Sequence, residues 1–163
     1  MLCKIDNYLR NLYRLSGYIA AIFLILVATF ILTGIASRIF GFYIRGLAEY
    51  SGYCMAASSF LALAYTFGEK GHIRITLFLE KSNKSIRRYL ELWCLSTATF
   101  FSGFLSFYFV KMLKISFNFQ ERSEGADEIL IWIPQVSVAL GSTIFFICVL
   151  HNFILLILKK NNI

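Results

Sequence analysis

The two histidines of the chain, His72 and His151, are the side chains best suited to holding a cofactor. Two histidines at similar depth among membrane helices can ligate haem. His72, however, lies in the glycine-containing turn GEKGHIRI, whereas bis-histidine haem sites need ligands on rigid helices. Neither histidine has beside it the set of three or four cysteine, histidine or acid ligands that a metal site needs. Haem ligation by His72 and His151 is therefore the alternative hypothesis, and the favoured role of His72 is hydrogen bonding within its turn.

Glu49 is the other residue whose position suggests chemistry, because an acid at membrane depth is a candidate ligand for a cation or a proton. Arg45 precedes it by four residues, which predicts that both lie on the same helical face. The favoured interpretation is therefore an interfacial ion pair or a bond to a neighbouring helix. The sequence contains no phosphate-binding glycine loop, nucleophile elbow or paired carboxylates. We therefore predict no enzymatic activity, no cofactor and no metal site.

Composition indicates the kind of protein that surrounds these residues. The chain is 58% hydrophobic and only 15% charged, which is too apolar for an ordinary soluble domain of 163 residues. Four long apolar stretches, at about 17–37, 47–67, 89–113 and 129–158, can each cross a hydrocarbon core of roughly 30 Å as a helix. The prediction is an all-α integral membrane protein with a single domain, 1–163, of four transmembrane helices. Small residues on the second and fourth helices are predicted to permit close packing between helices; they are Ala57, Ser58, Ala62, Ala64, Ser137, Gly141 and Ser142.

The charges predict the topology of this domain. Eleven of the 16 basic residues fall in the N-terminal segment, the connection between the second and third stretches, and the C-terminal segment. Both termini should therefore be cytoplasmic, and the net charge of +7 reflects topology, not nucleic-acid binding. Residues 1–16 are predicted to be an interfacial helix, and 72–85 an interfacial segment that is helical or extended. Contacts to lipid headgroups are predicted for Lys70, Lys84, Arg87 and Arg88.

Two stretches of the sequence resemble a known family. GLAEYSGYCMAASSFLALAYTFGEKGHIRITLFLEK (46–81) and ERSEGADEILIWIPQVSVALG (121–141) are similar to the small, DctQ-like membrane subunit of tripartite ATP-independent periplasmic (TRAP) transporters. The residues at the positions of the family motifs are Glu49, Gly71, His72, Ile73, Arg74, Trp132, Pro134 and Gly141. The resemblance, with the helix number and topology, extends over nearly the whole chain.

The resemblance implies a role in uptake across the bacterial inner membrane. In such transporters a large membrane subunit holds the substrate and sodium sites, and a periplasmic binding protein delivers the substrate, commonly an organic acid. The small subunit would be a non-catalytic scaffold. The acidic loop between the last two helices is then predicted either to dock the binding protein or to be merely solvated; its acids are Glu121, Glu124, Asp127 and Glu128.

Overall fold

The computed structural model describes residues 2–68, 84–125 and 128–158, and of residues 2–7, 84–88 and 158 only the helical backbone. These ranges form four α-helices. They are α1 (Leu2–Ile39), α2 (Leu47–Gly68), α3 (Lys84–Phe119) and α4 (Trp132–Leu158). The all-helical prediction is confirmed for the described residues. Helices α1 and α3 run beyond the predicted spans of about 17–37 and 89–113, because the polar residues that flank these apolar stretches continue the helix. Helix α2 agrees with its predicted span to within one residue, and α4 begins three residues later than predicted.

Three of the described helices are long and apolar enough to cross a membrane, over Tyr8–Ile39, Tyr89–Phe119 and Trp132–Ile157. The predicted second span, α2, is 22 residues long but is not among these three; it contains Glu49 and several serines and tyrosines, which lower its apolarity over a membrane-length stretch. The N-terminal segment is not a separate helix. It continues into the first span without a break, because nothing between Leu2 and Ile39 interrupts the helix.

The helices pack in the spatial order α1, α2, α4, α3. Helix α2 contacts α1 on one side and α4 on the other, α3 packs mainly against α4, and α1 touches α4 at few positions. Helices α1 and α2 are antiparallel, with Gly17 against Tyr65 at one end and Gly34 against Leu47 at the other. Helix α2 is therefore the central element, and α1 and α3 form the two flanks.

Small residues bring the backbones of neighbouring helices together. A Cβ atom on Gly141 of α4 would lie only 2.8 Å from the backbone carbon of Phe60 and 2.9 Å from the backbone nitrogen of Leu61, both on α2. On α2 the buried residues are Ala57, Ser58, Leu61 and Ala64. These contacts confirm the prediction that small residues on the second and fourth helices serve packing.

The contact between α3 and α4 follows the same rule with different residues. Gly103 of α3 leaves room for the ring of Phe146, which lies 3.0 Å from where a Cβ would stand. One turn further along α3, the hydroxyls of Ser106 and Thr143 are hydrogen-bonded at 3.0 Å. An interhelical hydrogen bond of this kind contributes about 0.6 kcal/mol within a membrane.

The flanking helices carry large exposed apolar side chains. On α1, Leu24 and Leu32 are 60% and 66% exposed, and on α3 the rings of Phe100, Phe101 and Phe107 are 64–69% exposed. An apolar surface of this extent requires cover by lipid or by another subunit. The exposed faces therefore agree with the three apolar spans in indicating a membrane protein.

Substitution of Gly141 by alanine should weaken the contact between α2 and α4, because the added methyl group meets backbone that cannot move aside. We expect Gly141→Ala to lower the free energy of unfolding in detergent by about 1–3 kcal/mol. Gly52→Ala on α2 is the matched control, since nothing lies within 4 Å of its Cβ position. Equal stability of the two variants would show that the contact at Gly141 is not close.

Candidate functional site

Three helices meet where α2 ends, around a small buried cluster of Tyr13, Ala64 and Cys148. The Cys148 thiol donates a hydrogen bond to the carbonyl oxygen of Ala64 at 3.6 Å. The ring of Tyr13 packs over Gly68, the last residue of α2, at 3.1 Å from its Cβ position. This cluster fixes the end of α2 between α1 and α4. Sequence reasoning missed it, because nothing in the pattern distinguishes Tyr13 from the other aromatic residues near membrane ends.

His151 lies on α4, one turn beyond Cys148, where its side chain is half-buried and interacts with a neighbouring group. The next residue, Asn152, donates its amide hydrogen to the carbonyl oxygen of Cys148 at 2.8 Å. The other proposed haem ligand, His72, lies outside the described residues. Within the described part of the chain, no three His, Cys, Asp or Glu residues are grouped to hold a metal ion. Nothing in these arrangements supports the haem hypothesis.

Glu49 lies in the first turn of α2 and is half-buried. The sequence interpretation placed Arg45 on the same helical face, and this is wrong, because α2 begins only at Leu47. Arg45 belongs to the preceding turn, which is reversed by Gly46 at a φ of 80°. Glu49 instead belongs to the first turn of α2, where the backbone N–H groups have no partner within the helix and an acid interacts favourably with the helix dipole.

The motif residues of α4 hold the two helices that flank it. Trp132, the first residue of α4, packs edge-on against Phe117 of α3 with the ring centroids 5.4 Å apart. Pro134 lies in the first helical turn, where a backbone N–H has no partner within the helix. Gly141 lies two turns further on, against the backbone of α2. The structure thus gives Trp132 and Gly141 packing roles on different neighbours.

The loop between α3 and α4, residues 120–131, is closed by its own backbone. Arg122 and Leu130 form an antiparallel bridge. The N–H of Ser123 donates to the carbonyl oxygen of Ile129 at 2.7 Å, and that of Ile131 to Glu121 at 3.0 Å. The Ser123 hydroxyl is also hydrogen-bonded to the phenol of Tyr53 on α2 at 3.0 Å. The described part of the loop is therefore fastened to the central helix.

The acidic residues of this loop differ in their surroundings. The carboxylate of Glu121 accepts a hydrogen bond from the hydroxyl of Ser116 at 2.9 Å, and Ser116 is only 2% exposed. Glu124 and Glu128 are exposed to solvent. Asp127 lies outside the described residues. Glu121 therefore has a structural task that sequence reasoning did not assign to it.

The remaining predicted positions lie in the connection between α2 and α3 and in the first turns of α3. Gly71, His72, Ile73 and Arg74 lie outside the described residues, together with Lys70. Lys84, Arg87 and Arg88 occupy the first two turns of α3, where only the backbone is described. Their lipid contacts stay predictions.

Comparison with known proteins gives one match. The family model described as "Tripartite ATP-independent periplasmic transporters, DctQ component" matches residues 25–159. The match begins within α1, extends beyond the end of α4 and includes both stretches that carry the resemblance. No curated protein matches the chain.

Proposed function

Because the chain belongs to the DctQ component family of the TRAP transporters, we propose that it is the non-catalytic scaffold subunit of such a transporter. The family functions in tripartite systems, together with a large membrane subunit and a periplasmic binding protein. In the proposed role, the small subunit anchors the large subunit while the latter carries substrate across the membrane. Transport is proposed to be coupled to sodium, and the substrate to be an organic acid, as the family resemblance implies.

The close contact between α4 and α2 is the observation that best supports a scaffold. A part that stays fixed while its neighbour moves needs internal contacts that resist sliding. At Gly141 the backbones of α2 and α4 approach so closely that one methyl group would meet Phe60 and Leu61 at less than 3 Å. Packed interiors of this kind deform little, because each displacement causes atomic overlap. The exposed apolar faces of α1 and α3 then provide surface for the large subunit and for lipid.

The proposed topology has four spans and both termini in the cytoplasm of a bacterium, with the protein in the inner membrane. It is supported by the distribution of basic residues and by the position of α2. Since α2 lies between α1 and α4, part of its surface faces protein instead of lipid. A helix in this position can span with lower apolarity than its neighbours, because small and hydroxyl-bearing residues suit helix contacts.

Reconstitution tests the scaffold proposal directly. The chain, its large-subunit partner and the binding protein are purified and combined in proteoliposomes with a sodium gradient. We expect uptake to require all three proteins, and the small subunit to copurify with the large one. Omission of the small subunit is the control. Full uptake without it, or uptake by the small subunit alone, would contradict the proposal.

Docking of the binding protein is proposed for the exposed acids of the 120–131 loop, Glu124 and Glu128, and for Asp127, which precedes Glu128 in the sequence. Glu121 belongs to the same predicted set, but its carboxylate also accepts the hydrogen bond from Ser116. The loop's backbone hydrogen bonds and its link to Tyr53 support this proposal, since a docking site must hold its charges in place. Exposed charges of this kind act mainly on the rate of association.

Charge reversal distinguishes docking from simple solvation of the loop. We expect Glu124→Lys combined with Glu128→Lys to reduce uptake several-fold at limiting binding protein and low salt. Uptake should recover at saturating binding protein, because the substitutions alter association and not transport. Membrane insertion, measured by the yield of folded protein, is the control. Unchanged uptake at limiting binding protein would contradict docking at these residues.

A further inference from the structure

A polar groove lies between α1 and α2, near the C-terminal end of α2. It has a volume of 530 Å³ and is lined by Arg14, Gly17, Tyr18, Ala21 and Tyr65. This volume is within the range of about 300–1,000 Å³ that is usual for small-molecule sites. None of the functions considered so far uses these five residues, so the groove requires its own explanation.

The shape of the groove depends on Gly17. A Cβ atom on this residue would lie 2.7 Å from the ring of Tyr65, so only glycine allows that ring to pack against α1. Tyr65 stays 42% exposed in this position, and Tyr18, beside Gly17 on α1, is 70% exposed. The groove therefore has a glycine floor and phenol side chains that solvent or a ligand can reach.

The chemistry of the lining favours a phosphate group. Arg14 brings a guanidinium, whose planar arrangement of N–H donors matches phosphate oxygens. Arg14 already interacts with a neighbouring group, but its five N–H donors leave others for a ligand. Tyr18 and Tyr65 add hydroxyl donors. Among the described residues that line the groove there is no acid, so none of them would form an ion pair with the amine of a zwitterionic headgroup.

The position of the groove indicates a lipid and not a free anion. Gly68, the last residue of α2, packs on Tyr13, so Arg14 is level with a helix end, where headgroups lie. From there Arg14, Tyr18, Ala21 and Ile25 follow one face of α1 at helical spacing. Ile25 is 66% exposed. A ligand with its phosphate at Arg14 would therefore find an apolar path for an acyl chain along α1.

We propose that this groove binds one anionic phospholipid, with the headgroup phosphate held by Arg14, Tyr18 and Tyr65 and an acyl chain lying over Ala21 and Ile25. The lipid lies in the groove beside the Tyr65 ring, which itself occupies the position next to Gly17. The bound lipid thereby extends the contact between α1 and α2 at the C-terminal end of α2. The site depends on the chain being in a membrane, but not on the identity of its transport partners.

Lipid titration followed by native mass spectrometry tests the site on the purified full-length chain. The probes are dioctanoyl phosphatidylglycerol, dioctanoyl glycerol and inorganic phosphate. We expect one phosphatidylglycerol per chain, and much weaker binding of the other two probes. Arg14→Gln should weaken phosphatidylglycerol binding about tenfold, the factor expected for the loss of a charge-assisted hydrogen bond. Tyr65→Phe should weaken it less, with the fold retained.

Arg10→Gln is the matched control. It removes the same charge from an exposed position one turn earlier on α1 and outside the groove, and we expect less than about a twofold effect. Equal effects at Arg10 and Arg14 would overturn the site in favour of general surface charge. Equal binding of inorganic phosphate would overturn the assignment to a lipid.

The complete transporter provides the second readout. A photo-crosslinking residue introduced at Tyr65 in the copurified complex should label phospholipid. Crosslinks to the large subunit instead would show that protein occupies the groove and would overturn the proposal.

Discussion

The close contact of Gly141 with the backbone of Phe60 and Leu61 is the interaction on which the arrangement of helices depends. It brings α4 onto α2 and leaves α3 on one side and α1 on the other. In lipid, helix association gains little from the hydrophobic effect, so stability depends on contacts made at short range. A side chain at position 141 would separate α2 and α4, and with them the cluster of Tyr13, Ala64 and Cys148.

The apolar solvent also explains the behaviour of the hydroxyl side chains. Several of these hydroxyls donate a hydrogen bond to a carbonyl oxygen of the preceding helical turn. Ser16 donates to Tyr13 at 2.8 Å, and Thr33 donates to Thr29 at 2.7 Å. Such bonds satisfy the hydroxyl without a partner on another helix. Other hydroxyls bind across separate elements: Ser106 to Thr143, Ser123 to Tyr53, and Ser116 to Glu121. The bond between Ser106 and Thr143 joins α3 to α4, so it contributes to the packing order itself.

Sequence reasoning predicted the helical class and the use of small residues for packing, since both follow from composition and spacing. It did not predict which helices touch. The order α1, α2, α4, α3 depends on the shapes of surfaces such as Gly103 against Phe146, and no spacing rule specifies that pair. Residues Ser102, Gly103 and Ser106 do repeat at helical spacing, so this contact face was visible in the sequence. The role of Glu121 was not visible in the sequence. Its partner, Ser116, is one of many serines in the helices, and only the folded loop brings the Glu121 carboxylate to its hydroxyl.

A fixed scaffold beside a moving large subunit is the central claim, and the distance between its two flanks tests that claim most directly. Spin labels at the exposed positions Leu24 on α1 and Phe104 on α3, in a background without the accessible native cysteines, give this distance by pulsed electron resonance. It would be measured in the reconstituted transporter with and without sodium and loaded binding protein. We predict the same distance distribution in every condition. A shift of several ångströms between conditions would show that the small subunit itself changes shape during transport, and would contradict the scaffold account.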